Sequence, residues 1–120
     1  MSIEVNNKVI KTDEEGYLLE PDDWNEDVAE ALIRQHEADG HKPVTETGWE
    51  LIRYFREYYE DHMIHPSMHK LLTERARLHK NHFKDEKSYR DFLYELFPHG
   101  PIPMLCKLAG LPNPEHEIEV

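Results

Sequence analysis

The last quarter of the chain does most to restrict the fold. It reads Leu96-Phe97-Pro98-His99-Gly100-Pro101-Ile102-Pro103-Met104-Leu105-Cys106-Lys107-Leu108-Ala109-Gly110-Leu111-Pro112-Asn113-Pro114 and continues to Val120. Pro101, Pro103, Pro112 and Pro114 lack a backbone donor, and each fixes its own φ near about −65°. The expectation is therefore an ordered, semi-rigid arm that is neither a continuous helix nor a central strand. It carries Cys106, the single cysteine of the chain. Two readings of that thiol stand side by side. A lone thiol on an arm suits sulfur transfer or capture of a partner, whereas a cysteine also packs as a small buried hydrophobe. One cysteine excludes an intramolecular disulfide framework, and the cytoplasm is the expected compartment.

Ahead of the arm the pattern changes twice. Over residues 1–20, Ile3, Val5, Val9 and Ile10 flank Asn6-Asn7, a pair that tolerates the left-handed backbone of a tight hairpin turn. Asp13-Glu14-Glu15-Gly16 is a second turn signal, and Tyr17-Leu18-Leu19 reads as a third short strand or extended segment. From Pro21 to Phe97 the period is helical. Asn25 is the expected cap of a first helix that stops near Gly40. Thr45 or Thr47 caps a second, with Thr47 and Glu50 fitting a capping box. Its stripe of Leu51, Tyr54, Phe55 and Tyr58 reads as core. Pro66 is expected to begin a third helix, over 66–80, and Ser88 with Asp91 a fourth. In that fourth helix Tyr89, Phe92, Leu93, Leu96 and Phe97 recur at i, i+3, i+4, i+7 and i+8 until Pro98 stops it. The expected architecture is α+β and mainly α, as a single domain over 1–120. It has a small β-hairpin element at 1–20, a helical body at 21–97 with a helix-turn-helix-like part, and the C-terminal arm at 98–120.

A chain of 120 residues with 32% charged residues and no apolar run long enough to cross a bilayer fits a water-soluble protein with no membrane partner. The segment Met1-Ser2-Ile3-Glu4-Val5 lacks the pattern of a secretory signal. The formal net charge of −11 opposes binding to phosphate backbones. Lys70, Arg75, Arg77, Lys80, Lys84, Lys87 and Arg90 form a modest basic cluster that reads as a solvated face. Among the nine histidines, His62, His65 and His69 are spaced by three and four, and His79 and His82 by three. Pro66 interrupts the first set, and neither set has the further ligands that zinc needs, so no metal and no cofactor are expected. Glycine-rich phosphate loops and nucleophile-elbow serines are missing. Cys106 is the one residue with the look of an activated nucleophile, and the adjacent Lys107 favours its thiolate.

A set of residues spread along the chain resembles the DsrC/TusE sulfur-relay family. The set comprises Gly16-Tyr17-Leu18, Trp24, Trp49-Glu50 with Ile52-Arg53, Tyr58, Pro66, Leu71, Tyr94, Leu96-Phe97-Pro98 with Gly100-Pro101, and Lys107-Leu108-Ala109-Gly110-Leu111-Pro112 with Pro114. The family includes the small protein called the gamma subunit of dissimilatory sulfite reductase and a carrier in tRNA 2-thiouridine synthesis. The resemblance implies a hairpin, a helical body and a mobile arm. It also implies a carrier or partner of sulfurtransferases and sulfite reductase-like proteins rather than a free-standing enzyme. Lys107, Gly110, Leu111, Pro112 and Pro114 are the partner-binding residues it points to.

The same resemblance marks a departure. A penultimate cysteine holds the persulfide in the family, and a second cysteine lies earlier in the arm in one branch. Cys106 matches the earlier one, whereas Glu117 stands where the carrier cysteine is expected. Glutamate cannot hold a persulfide. His69 and Met104 stand where arginine and glutamine are expected, and the acidic end from Glu115 to Glu119 would be repelled by an anion-binding channel. Three expectations follow. The first is sulfur carriage through Cys106 alone. The second is a non-relay paralogue that binds sulfur-metabolism proteins or regulates their genes. The third is DNA binding through the helix-turn-helix-like part, at the cost of the negative charge.

Overall fold

The structure is a computed structural model and describes residues 1–75, 83 and 85–114. Strands β1 (Ser2–Val5) and β2 (Lys8–Lys11) pair antiparallel, with Ile3 opposite Ile10 and Val5 opposite Lys8. Asn6 and Asn7 make the turn with φ of 52° and 67°, the left-handed geometry that a two-residue hairpin requires. The third extended segment amounts to a single bridge between Thr12 and Leu18. A 3-10 turn at Pro21–Asp23 leads into the helices.

Helix α1 spans Glu26–Ala38, and Asn25 caps it by accepting from the Val28 N–H. Helix α2 spans Glu46–His62. Its cap is Thr45, which accepts from Gly48, so Thr47 lies inside the helix and the capping box at Thr47 and Glu50 does not form. Met63 ends α2 in the left-handed region at φ 59°. Helix α3 is one turn, Met68–Lys70, and widens into a π-helical turn at Leu71–Arg75. Its cap is Ser67 rather than Pro66, because the hydroxyl accepts from the Lys70 N–H and proline precedes the cap. Helix α4 spans Glu86–Leu96. Asp85 caps it through its carboxylate, which takes both the Ser88 N–H and the Ser88 hydroxyl, so Ser88 is the third residue of the helix and not its cap. The helix-turn-helix-like part is α2, the 63–67 turn and the start of α3. Arg77, His79, Lys80, His82 and Lys84 lie outside the described residues, as does the part of the expected third helix from 76 to 80.

The arm is the largest correction. Helix α5 forms over Pro101–Leu108, inside the segment read as a semi-rigid arm and not assigned a helix. The first N–H groups of any helix have no partner within it, so Pro101 and Pro103 at its first and third positions sacrifice nothing. The first backbone bond of the turn runs from the Met104 N–H to the Gly100 carbonyl, 3.2 Å. Leu105, Cys106 and Leu108 of α5 enter one core with Val28 and Leu32 of α1, Leu51, Ile52 and Phe55 of α2, and Tyr89 and Leu93 of α4. Helix α5 thus lies against α2, α1 and α4 rather than beside them. Among the described residues no helix is long and apolar enough to cross a membrane.

Candidate functional site

The site is the seat of α5. Its eight residues are too few to hold a helix in water by local propensity, so tertiary contacts must do it. Four of those contacts are polar and come from far away in the chain. The Tyr17 hydroxyl donates to the Pro103 carbonyl at 3.0 Å. The Trp24 indole N–H donates to the Leu108 carbonyl at 2.9 Å. One Arg56 guanidinium N–H donates to the Ala109 carbonyl at 3.3 Å, and the Asn113 amide donates to the Glu15 carboxylate. The last carbonyls of a helix are orphaned by its geometry, and here side chains of other elements satisfy two of them.

Close packing reinforces the seat at one point. Gly110 has φ +72°, and a Cβ there would sit 2.5 Å from Trp24 Cδ1, so only glycine lets the chain turn against the indole. Arg56 lies over the same indole, 5.1 Å from its centroid, and its Nε donates to Glu60 at 3.0 Å. The guanidinium therefore stacks on Trp24, pairs with Glu60 and caps α5 at once. Trp24 and Gly16-Tyr17 on one side and Lys107–Pro112 on the other are residues that carried the family resemblance. In space they are one contact set.

Each expected site residue can now be placed. Cys106 is fully buried, with Leu105, Leu108, Ala109 and Leu111 around it in sequence also buried. The thiol is not displayed on an arm in this conformation. Gly110 and Leu111 are buried and belong to the seat, whereas Pro112 is exposed and Lys107 and Pro114 are half-buried. The Lys107 ammonium sits 5.8 Å from the Tyr17 ring centroid, a cation–π contact. Position 117 lies outside the described residues. Of the histidines, His62 is exposed and its ring lies tilted against Tyr58, centroids 4.3 Å apart, and His65 Nδ1 lies 2.9 Å from the Pro66 carbonyl. No group of three His, Cys, Asp or Glu side chains converges among the described residues.

Sequence reasoning passed over Arg56 and His36. Arg56 had one usable signal, a charge set four residues after Ile52 on the buried face of α2. His36 is buried at 5% exposure and stacks on His41 at 4.3 Å, while His41 meets His99 edge-on at 4.9 Å. Burial first, and then the neighbouring His41 and Lys107 charges, push the His36 imidazole down to about 4 from its ordinary 6.5. It is neutral at physiological pH.

Comparison with known proteins decides the family. The profile of the family described as DsrC like protein matches residues 4–118. The chain belongs to the DsrC-like family. It is 38% identical over 105 residues to the sulfurtransferase TusE of Photorhabdus laumondii subsp. laumondii, covering 88% of this chain and 87% of the relative. It is 37% identical over 107 residues to TusE of Escherichia coli strain K12, covering 89% and 91%. Among solved structures it resembles the oxidized gamma-subunit of the dissimilatory sulfite reductase, DsrC, from Archaeoglobus fulgidus. That match has a TM-score of 0.79 at 30% identity and covers 98% of this chain and 100% of the other. DsrC of Allochromatium vinosum gives 0.75 at 38% identity with the same coverage. The chain is thus a sulfur-relay protein of the DsrC/TusE type.

Proposed function

We propose that this DsrC-like protein carries sulfur on Cys106 and that helix α5 conceals the thiol until a partner unseats it. The observation that supports this reading is the placement of the single cysteine on a short, proline-started helix held by side chains from other elements. In the transfer step the Cys106 thiolate attacks the outer sulfur of a donor persulfide. The S–S bond of the donor breaks, the donor leaves as a thiolate, and Cys106 holds the persulfide. No oxidant or reductant is consumed. The acceptor then takes the sulfane sulfur by the same exchange in reverse. Donor and acceptor are a sulfurtransferase and a sulfite reductase-like or other sulfur-handling protein, met in the cytoplasm. Lys107, Pro112 and Pro114 are the arm residues such a partner reaches first, and Gly110 and Leu111 become available only when α5 lifts. Residues 1–120 act as one domain in this scheme.

A second reading is favoured by the complete burial of Cys106 together with Glu117 at the expected carrier position. In it the chain is a non-relay paralogue that binds the same protein partners, with the cysteine serving only as packing. DNA binding through α2 and α3 is its weakest form, because the net charge of −11 repels phosphate. Intact-mass spectrometry after incubation with a persulfide-loaded sulfurtransferase separates the two. A reducible gain of about one sulfur atom that disappears in Cys106→Ser supports carriage. No gain, from a donor shown to load a family member with the penultimate cysteine, establishes the binding reading.

A further inference from the structure

A cavity of about 250 Å³ opens beside Lys107 of α5, among residues of β1, α1 and the turn at Glu14–Gly16. Lys107, His36, Glu14, Asp39, Ile3 and Leu32 line it. We propose that it is a binding site for a small α-amino acid, with the ligand carboxylate on Lys107 and His36 and its ammonium toward Glu14 and Asp39.

Two side chains point to a ligand independently. His36 is 5% exposed, yet neither ring nitrogen has a hydrogen-bond partner among the described residues. Buried polar groups are ordinarily paired. Arg75 Nε is the sealed side-chain atom without a partner among the described residues, so the His36 nitrogens are not fully sealed, and His36 is one of the residues that line the cavity. The neutral ring offers one N–H and one lone pair. Lys107 gives the second sign. It is half-buried in an acidic chain, and it makes no hydrogen bond or ion pair with any described residue, only the contact with the Tyr17 ring. Its stem passes so close to Gly16 that a Cβ there would lie 2.8 Å from Lys107 Cε, which fixes where the ammonium emerges.

The charged groups of the lining, Lys107 and the Met1 ammonium against Glu14, Glu15 and Asp39, select the ligand class. A simple anion satisfies Lys107 but faces the carboxylates of Glu14 and Asp39. A simple amine satisfies those carboxylates but faces Lys107. A zwitterion answers both. Pockets for larger ligands begin near roughly 300 Å³, so this cavity suits a molecule of a few heavy atoms rather than a nucleotide. Ile3 and Leu32 supply an apolar wall for a short side chain. The site does not depend on sulfur carriage by Cys106 and stands or falls separately.

The test is titration of the full chain with glycine, L-alanine, L-cysteine, acetate, methylamine and sulfate, followed by amide chemical-shift mapping. The expected result is saturable binding of the amino acids at dissociation constants on the order of 1 mM. Shifts should centre on residues 14–16, 35–39 and 107, with acetate, methylamine and sulfate at least about tenfold weaker. Lys107→Met and His36→Phe should each weaken amino-acid binding at least about tenfold, while Glu14→Gln should weaken amino acids and strengthen acetate. The last swap of preference keeps the test valid should His36→Phe fold poorly. Equal binding of acetate or sulfate, shifts mapped elsewhere, or no binding of any amino acid overturns the proposal.

Discussion

Helices α2 and α5 are built by opposite means. Helix α2 has 17 residues, a threonine cap and an i, i+4 ion pair between Arg56 and Glu60, so its own sequence makes it a helix. Helix α5 has eight residues, two prolines in its first turn and no side-chain cap. It exists because Tyr17, Trp24 and Arg56 take up its carbonyls and because its apolar face completes the core. The lesson is that the element carrying the thiol is the one whose stability is borrowed. The proposed release of Cys106 requires this element to open locally, at a free energy below that of global unfolding.

That contrast breaks first at the indole. Trp24→Ala should destabilise the protein by about 3 kcal/mol and raise the rate of Cys106 alkylation about 100-fold, at roughly tenfold per 1.4 kcal/mol. Denaturant melts and thiol labelling of the same sample check both. Gly110→Ala should follow at about 2 kcal/mol, since its Cβ collides with Trp24 and the backbone is left-handed. Arg56→Met should cost about 1.5 kcal/mol by leaving the Ala109 carbonyl unpaired. Its labelling rate should rise by the factor that its loss of stability predicts. Thr45→Ala removes the α2 cap and should cost about 1 kcal/mol, with labelling of Cys106 almost unchanged because α5 keeps its seat.

A separate effect comes from acid. The folded state holds His36 neutral down to about 4, whereas the unfolded chain takes up a proton near 6.5. Between those values the unfolded state binds more protons, so stability falls as pH drops from 6.5 toward 4 and is unaffected by this group above 6.5. His36→Gln should flatten that part of the stability curve, as urea melts across the pH range will show.

The difference between the two helices also explains what the sequence could convey. Asn6-Asn7, Asn25 and the α2 and α4 stripes act within a few residues, and their turn, cap and helices form where expected. Capping was less legible, with Thr45 and Thr47 both on offer for α2 and Asp85 passed over for α4. Thr45 won over Thr47, and Asp85 over Ser88, because the carboxylate and the earlier hydroxyl reach the free N–H groups. The prolines of the arm misdirected the reading, since their cost depends on where a helix starts, and Pro101 and Pro103 fall in the one turn that needs no donors. The seat was legible only as the resemblance of Gly16-Tyr17, Trp24 and Lys107–Pro112. Nothing local tells that Trp24 meets Leu108, 84 residues later. His36 was invisible for the same reason, as its burial comes from packing outside α1.

The most direct measurement is the alkylation rate of Cys106 in the native protein, in Trp24→Phe and in Thr45→Ala, each beside its own denaturation curve. Local unseating of α5 predicts slow labelling of the native thiol. It also predicts acceleration in Trp24→Phe by the full factor that its loss of stability accounts for, and little change in Thr45→Ala despite its own loss of stability. Equal acceleration in both variants, or a native thiol that reacts as fast as in denaturant, would contradict a concealed cysteine released by the seat.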